Sequence, residues 1–129
     1  IRYFDKETAE FIRKKFPKIV KDVCEAFGAK AEINYKEGYP PTINDNDAAI
    51  FALEIAKDIA GEKASDNQTV SMGSEDFSYF LQEKPGAYAY IGNGNSASLH
   101  NPSYDFNDEN LTIGASFLSK IAEKALSKN

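Results

Sequence analysis

Met72-Gly73-Ser74-Glu75-Asp76-Phe77, a Pro85-Gly86 turn, the aromatic run 87–91, a Gly/Asn loop at 92–95 and Leu99-His100-Asn101-Pro102-Ser103-Tyr104-Asp105-Phe106-Asn107-Asp108 follow one another in the most informative part of the chain. His100 is the only histidine in the chain, set between a Gly/Asn loop and a proline. Imidazole in such a place reads as a metal ligand, a general base or an exposed structural side chain. Ser74 reads as the N-cap of a short helix whose apolar side is Phe77, Phe80 and Leu81. Glu75 and Asp76 then fall in its first turn, where carboxylates favour the positive helix end or line a pocket. The aromatics around them (Tyr79, Phe80, Tyr88, Tyr90, Tyr104, Phe106) are best read as packing residues.

On either side of this stretch the pattern is helical. Asp108 is placed to cap a last helix with an apolar stripe at Leu111, Ala115, Leu118, Ala122 and Ala125, and Gly114 allows close approach to a neighbour. Upstream, Asn44, Asp45 or Asn46 caps a helix with Ala48, Phe51, Ala52, Ile55 and Ile59 on one face and Gly61 at its end. At the start of the chain, Asp5 caps a long helix that carries Ile12, Phe16, Ile19, Val20, Val23 and Phe27 at helical spacing and stops at Gly28. Pro17 falls inside it and is expected to kink it. Strands are expected at residues 1–4, at 29–35 by strict alternation, at 69–71 and at 87–91. Gly38-Tyr39-Pro40-Pro41 reads as a stiff linker between two domains.

Gly73-Ser74-Glu75-Asp76-Phe77 followed by Leu99-His100-Asn101-Pro102 and Tyr104-Asp105-Phe106-Asn107-Asp108 resembles the metal-dependent amidohydrolase family, which takes in hippurate hydrolases, indole-acetyl-amino-acid hydrolases, N-acyl-amino-acid amidohydrolases and related carboxypeptidases. Arg2-Tyr3-Phe4-Asp5 and Gly38-Tyr39-Pro40-Pro41-Thr42-Ile43-Asn44 extend the likeness over nearly the whole chain. The resemblance implies an α/β fold: part of a zinc-peptidase-like mixed sheet with flanking helices, preceded by half of a ferredoxin-like α+β lid domain. Residues 1–38 would be the second half of that lid and dimerisation domain, and residues 39–129 the C-terminal part of the metal-dependent catalytic domain.

The resemblance also implies a chemistry. His100 matches a ligand of one ion in a two-metal centre, and neutral imidazole suits Zn, Mn, Co or Ni. An N-acyl amino acid or small peptide substrate carries a carboxylate. Gly73 permits close backbone approach and the N–H groups of a helix start bind anions, so Gly73 and Ser74 are the candidate substrate contacts. In the family the remaining ligands and the glutamate base lie in an N-terminal portion that this sequence does not contain. No catalytic residue is therefore expected within these residues. The chain is expected to be a C-terminal fragment, inactive alone and without tightly bound metal. The alternative is a noncatalytic self-association module, in which uncovered apolar faces seek a second copy.

Composition bounds these readings. A net charge of −5 argues against nucleic acid, whose binding rests on Lys and Arg neutralising phosphate. No apolar run approaches the roughly 20 residues needed to span a bilayer. The one cysteine, Cys24, excludes an internal disulfide and fits a reducing, cytoplasmic setting. The lysines and arginine of the first helix read as a solvated face rather than a binding patch.

Overall fold

Four α-helices follow one another in the computed structural model, which describes residues 1–127: α1 (Lys6–Ala26), α2 (Asn46–Ala60), α3 (Phe77–Glu83) and α4 (Glu109–Leu126). A single 3-10 turn, Gly61–Lys63, extends α2. The chain divides into two compact units. One comprises Ile1–Ile43 with Val70–Glu83, the other Asn44–Thr69 with the residues from Lys84 onward.

In the first unit, α1 is closed at both ends by its own sequence. Asp5 Oδ1 accepts from the Thr8 amide at 2.7 Å, and the Thr8 hydroxyl donates to Asp5 Oδ2 at 2.8 Å. The hydrogen bond from the Thr8 amide is the main reason the Asp5 carboxyl titrates below its ordinary value. At the other end Gly28 takes φ +68°, its amide bonds to Glu25 O at 3.0 Å and the Ala29 amide to Cys24 O at 2.8 Å. This is the paired bonding of a Schellman motif, which favours glycine because a Cβ is strained at positive φ. The helix continues through Pro17.

The sheltered side of α1 is not the whole stripe expected from spacing. Ala9 is buried, Ile12, Val20 and Cys24 are half-buried, and Ile19, Val23 and Phe27 are exposed. Phe16 meets Tyr35 with ring centroids 6.0 Å apart. In the run after α1, Ala31, Ile33 and Tyr35 are half-buried while Glu32 and Asn34 are exposed, as alternation predicts.

The strands of the expected mixed sheet and ferredoxin-like lid half do not form among the described residues, whose regular elements are helical. None of the runs 1–4, 29–35, 69–71 and 87–91 forms a strand ladder among the described residues. A strand exists only by exchanging backbone hydrogen bonds with a neighbour, and alternation supplies a face without supplying that neighbour. The helix after residue 74 is also corrected. It begins at Phe77, so Ser74 is not its N-cap, and Glu75 and Asp76 precede the helix rather than occupy its first turn. Ser78 is fully buried there, with Oγ donating to Glu75 O at 2.6 Å.

In the second unit α2 and α4 pack on each other. Asp45 caps α2 by accepting from the Ala48 amide at 2.9 Å, Gly61 ends it at φ +58°, and Ile55 is fully buried. The expected stripe of α4 is rotated by about one position. Asn110 is buried and Gly114, Phe117 and Ile121 are half-buried, whereas Leu111 and Leu118 are exposed. Two contacts set this rotation. Asn110 Nδ2 donates to Gly92 O at 3.1 Å, and a Cβ at Gly114 would lie 3.3 Å from Ile91 Cδ1. Asp108 makes no side-chain cap; Asn107 Oδ1 accepts from the Glu109 amide instead, at 3.1 Å.

Asp58 on α2 ties to Lys124 at 2.8 Å and Lys120 at 3.6 Å on α4. The Lys124 hydrogen bond, then the two lysine charges, hold the Asp58 carboxyl below its ordinary value. A carboxylate whose folded pKa is depressed stabilises fully above its unfolded pKa, near about 3.9, and loses that contribution as pH falls through the folded value. Asp58→Asn is therefore expected to flatten the acid limb of the stability–pH curve below about pH 4, read by urea titration at stepped pH. Ile55→Ala should cost about 2–5 kcal/mol, the range for emptying a fully buried aliphatic site, read by urea unfolding at neutral pH.

Candidate functional site

His100 sits on the second unit in the middle of two consecutive turns. The Asn101 amide bonds to Ser98 O at 3.1 Å, and the Tyr104 amide to Asn101 O at 2.9 Å. Asn101 Oδ1 also accepts from the Ser103 amide at 2.8 Å. Pro102 occupies the second position of the Asn101–Tyr104 turn, where its fixed φ belongs, and Asn101 opens that turn as asparagine favours. In the Ser98–Asn101 turn His100 takes the third position with φ +67°. It is the only non-glycine residue at positive φ among the described residues. That backbone region favours glycine, and a histidine in it is a local cost that neighbouring hydrogen bonds must hold in place. The imidazole is exposed.

The ends of this loop are tied by amide side chains. Asn93 Nδ2 donates to Asp105 O at 2.7 Å and to Ser96 Oγ at 2.8 Å, while its Oδ1 accepts from the Asn107 amide at 2.8 Å. Asn44 does similar work on residue 88: its Oδ1 accepts from the Tyr88 amide at 2.8 Å and its Nδ2 donates to Tyr88 O at 3.0 Å. Tyr88 and Tyr90 meet edge to face, 5.2 Å between centroids.

Gly73 and Ser74 belong to the first unit and His100 to the second. The Gly73 amide donates to Ser71 Oγ at 3.1 Å, and both Gly73 and Ser74 are exposed. Arg2 Nη1 donates to Ser74 Oγ. In the sequence Arg2 is marked only as part of the Arg2-Tyr3-Phe4-Asp5 run of the likeness. A guanidinium beside the candidate carboxylate contact is what residue-by-residue reading missed. The same unit carries a cleft of about 620 Å³ lined by Tyr3, Arg13, Glu37, Pro40, Ser78 and Tyr79, with Arg13 paired to Glu37 at its edge.

The test of a metal centre is the donor set. Among the described residues no group of three or more His, Cys, Asp or Glu side chains is arranged to hold a metal ion. An exposed imidazole fits as one ligand, and one ligand does not make a site. Cys24 is a free thiol on α1, in the first unit. No helix among the described residues is long and apolar enough to cross a membrane.

The positive φ at His100 gives a direct expectation. His100→Gly should raise stability by up to about 1–2 kcal/mol, the cost of left-handed backbone for a residue with a Cβ. His100→Ala should leave stability nearly unchanged, because it keeps the Cβ. Urea unfolding of the two variants side by side checks this, and equal effects would show that the backbone carries no strain there.

Comparison with known proteins follows the same outline. The sequence profile of Peptidase family M20/M25/M40 matches residues 6–124. Hippurate hydrolase of Campylobacter jejuni is 40% identical over 127 residues, covering 98% of this chain and 33% of the relative. IAA-amino acid hydrolase ILR1-like 2 of Arabidopsis thaliana is 36% identical over 98 residues, covering 72% of this chain and 22% of the relative. N-acetyl-L-cysteine deacetylase of Bacillus subtilis is 28% identical over 131 residues, covering 100% and 30%. No solved structure matches the chain. The chain spans about a third of the length of the first two of the curated relatives it matches over nearly its whole extent. With a profile match over most of its length and the Campylobacter relative at this identity, the chain belongs to Peptidase family M20/M25/M40.

Proposed function

We propose that this chain is the C-terminal part of a metal-dependent hydrolase that cleaves the amide bond of an N-acyl amino acid or small peptide next to a free carboxylate. The observation that carries the reading is His100, an exposed imidazole on a doubly turned loop at φ +67°. Strain of that kind at a lone polar residue is retained where a side chain must be aimed. His100 is one ligand in a two-metal centre of Zn, Mn, Co or Ni, and the other ligands and the proton-accepting glutamate lie outside these residues. When bound, such ions polarise an amide carbonyl and activate a water.

This chain's own residues supply recognition. Gly73 and Ser74 contact the substrate, and Arg2, which donates to Ser74, gives the carboxylate of an acyl amino acid a cationic partner. Residues 1–38 belong to a lid and dimerisation domain, and residues 39–129 to the catalytic domain. The enzyme works in the cytoplasm as a homo-oligomer. The relatives named for hippurate, IAA-amino acids and N-acetylcysteine support an N-acyl amino acid as the substrate class.

A second reading, a noncatalytic self-association module, is favoured by one feature: Ile19, Val23 and Phe27 on α1 are all exposed, the last at 85%. Light-scattering mass of the chain alone separates a monomer from an associated form. For the enzymatic reading, His100→Ala in the full-length protein that carries this sequence should lower kcat/KM on hippurate and N-acetylcysteine at least about 100-fold, since even groups behind a ligand are worth about 10–100-fold. Metal content should fall with it. Residues 1–129 alone should show no turnover with added Mn or Zn, and turnover that rises with metal would overturn the assignment of the other ligands elsewhere.

A further inference from the structure

We infer that Asn93 is the positioning residue for His100, holding its loop as a neighbouring strand would. The inference rests on the reading of His100 given above. Asn93 Nδ2 donates to Asp105 O at 2.7 Å and its Oδ1 accepts from the Asn107 amide at 2.8 Å. These two backbone groups flank Phe106. One donor and one acceptor directed at the two groups that flank a residue is the pattern by which a parallel strand engages its neighbour. A side-chain amide here does the work of a backbone peptide. The same Nδ2 reaches Ser96 Oγ at 2.8 Å, so the rising limb of the loop is tied to the same point. Asn110, buried on α4, donates to Gly92 O at 3.1 Å and approaches Asn93 Oδ1 at 3.5 Å. The clamp is thereby anchored to a helix rather than to another loop.

The consequence reaches His100 through chain closure. Residues 94–105 run out from Asn93 and return to it, so one side chain sets the distance between the two ends of the loop. With the ends fixed, few conformations remain for the residues between them. The two turns around His100, closed by the amides of Asn101 and Tyr104, occur inside that short span. Release of the clamp removes the constraint that keeps a histidine at positive φ, and the backbone relaxes toward the ordinary region. Glutamine lengthens the reach, alanine abolishes it, and aspartate keeps the acceptor for the Asn107 amide while losing the donor to Asp105 O.

The experiment uses the full-length protein with Asn93→Ala, Asn93→Asp and His100→Ala, read by amide hydrogen exchange and by steady-state turnover of hippurate. In Asn93→Ala the amides of Asn101 and Tyr104 should exchange at least about 10-fold faster while those of α2 and α4 keep their protection, the signature of local rather than global opening. Turnover should fall about 10–100-fold in kcat, the cost of losing a partner behind a functional ligand, with KM little changed. Asn93→Asp should lie between alanine and the wild type in both readouts. A variant with merely lowered global stability would instead lose protection in α2 and α4 together with the loop, and that result overturns the inference. Unchanged loop exchange with wild-type kcat in Asn93→Ala, alongside a large loss in His100→Ala, also overturns it and leaves the function standing. Wild-type turnover in His100→Ala overturns the functional reading itself, whatever Asn93 does.

Discussion

Three asparagine side chains, Asn44, Asn93 and Asn110, bond to backbone groups far along the chain where no sheet ladder does so among the described residues. Asn44 exchanges both its bonds with Tyr88, as residues do in a hydrogen-bonded antiparallel pair. Asn93 engages the groups on either side of Phe106. Asn110 reaches Gly92 O from the buried side of α4. Carboxamides suit this task because they carry a donor and an acceptor in the same plane, as a peptide unit does. The rotation of α4, the course of residues 86–93 and the base of the His100 loop all depend on these contacts.

From that constraint follows the character of the candidate site. The loop is tied at its ends and turned twice in its middle, so His100 is presented outward on backbone that a glycine would occupy more cheaply. Stability alone would not select a histidine there. Gly73, Ser74 and Arg2 form a separate polar cluster in the first unit, with the guanidinium donating to the serine hydroxyl.

Much of the helical framework was legible from local signals. Asp5 and Gly28 bracket α1, and Asp45 and Gly61 bracket α2, because capping involves residues only a few positions apart. The rotation of α4 was not legible. Leu111, Leu118, Phe117 and Ile121 are all apolar, and the choice between the two faces was made by Asn110 and Gly114 through contacts with distant residues. The strands failed for a related reason, since pairing is a property of two segments and a single alternating run does not contain it. Asn93 and Asn44 read in sequence as turn formers and prospective caps; their partners lie too far along the chain for any local pattern to indicate. His100 was singled out by the motif around it, and its positive φ has no counterpart in the local sequence.

The thinness of the interior has a thermal consequence. Ala9 and Ile55 are the only buried apolar residues among the described residues, while side chains such as Phe27, Val70 and Leu118 remain in water. The heat-capacity increment of unfolding grows with the apolar area newly hydrated, and ordinary domains show about 12–15 cal/mol/K per residue. So little sheltered hydrocarbon gives a smaller increment and a smaller enthalpy at the midpoint. Melting of these residues by themselves would be drawn out over a wide span of temperature instead of collapsing within a few degrees.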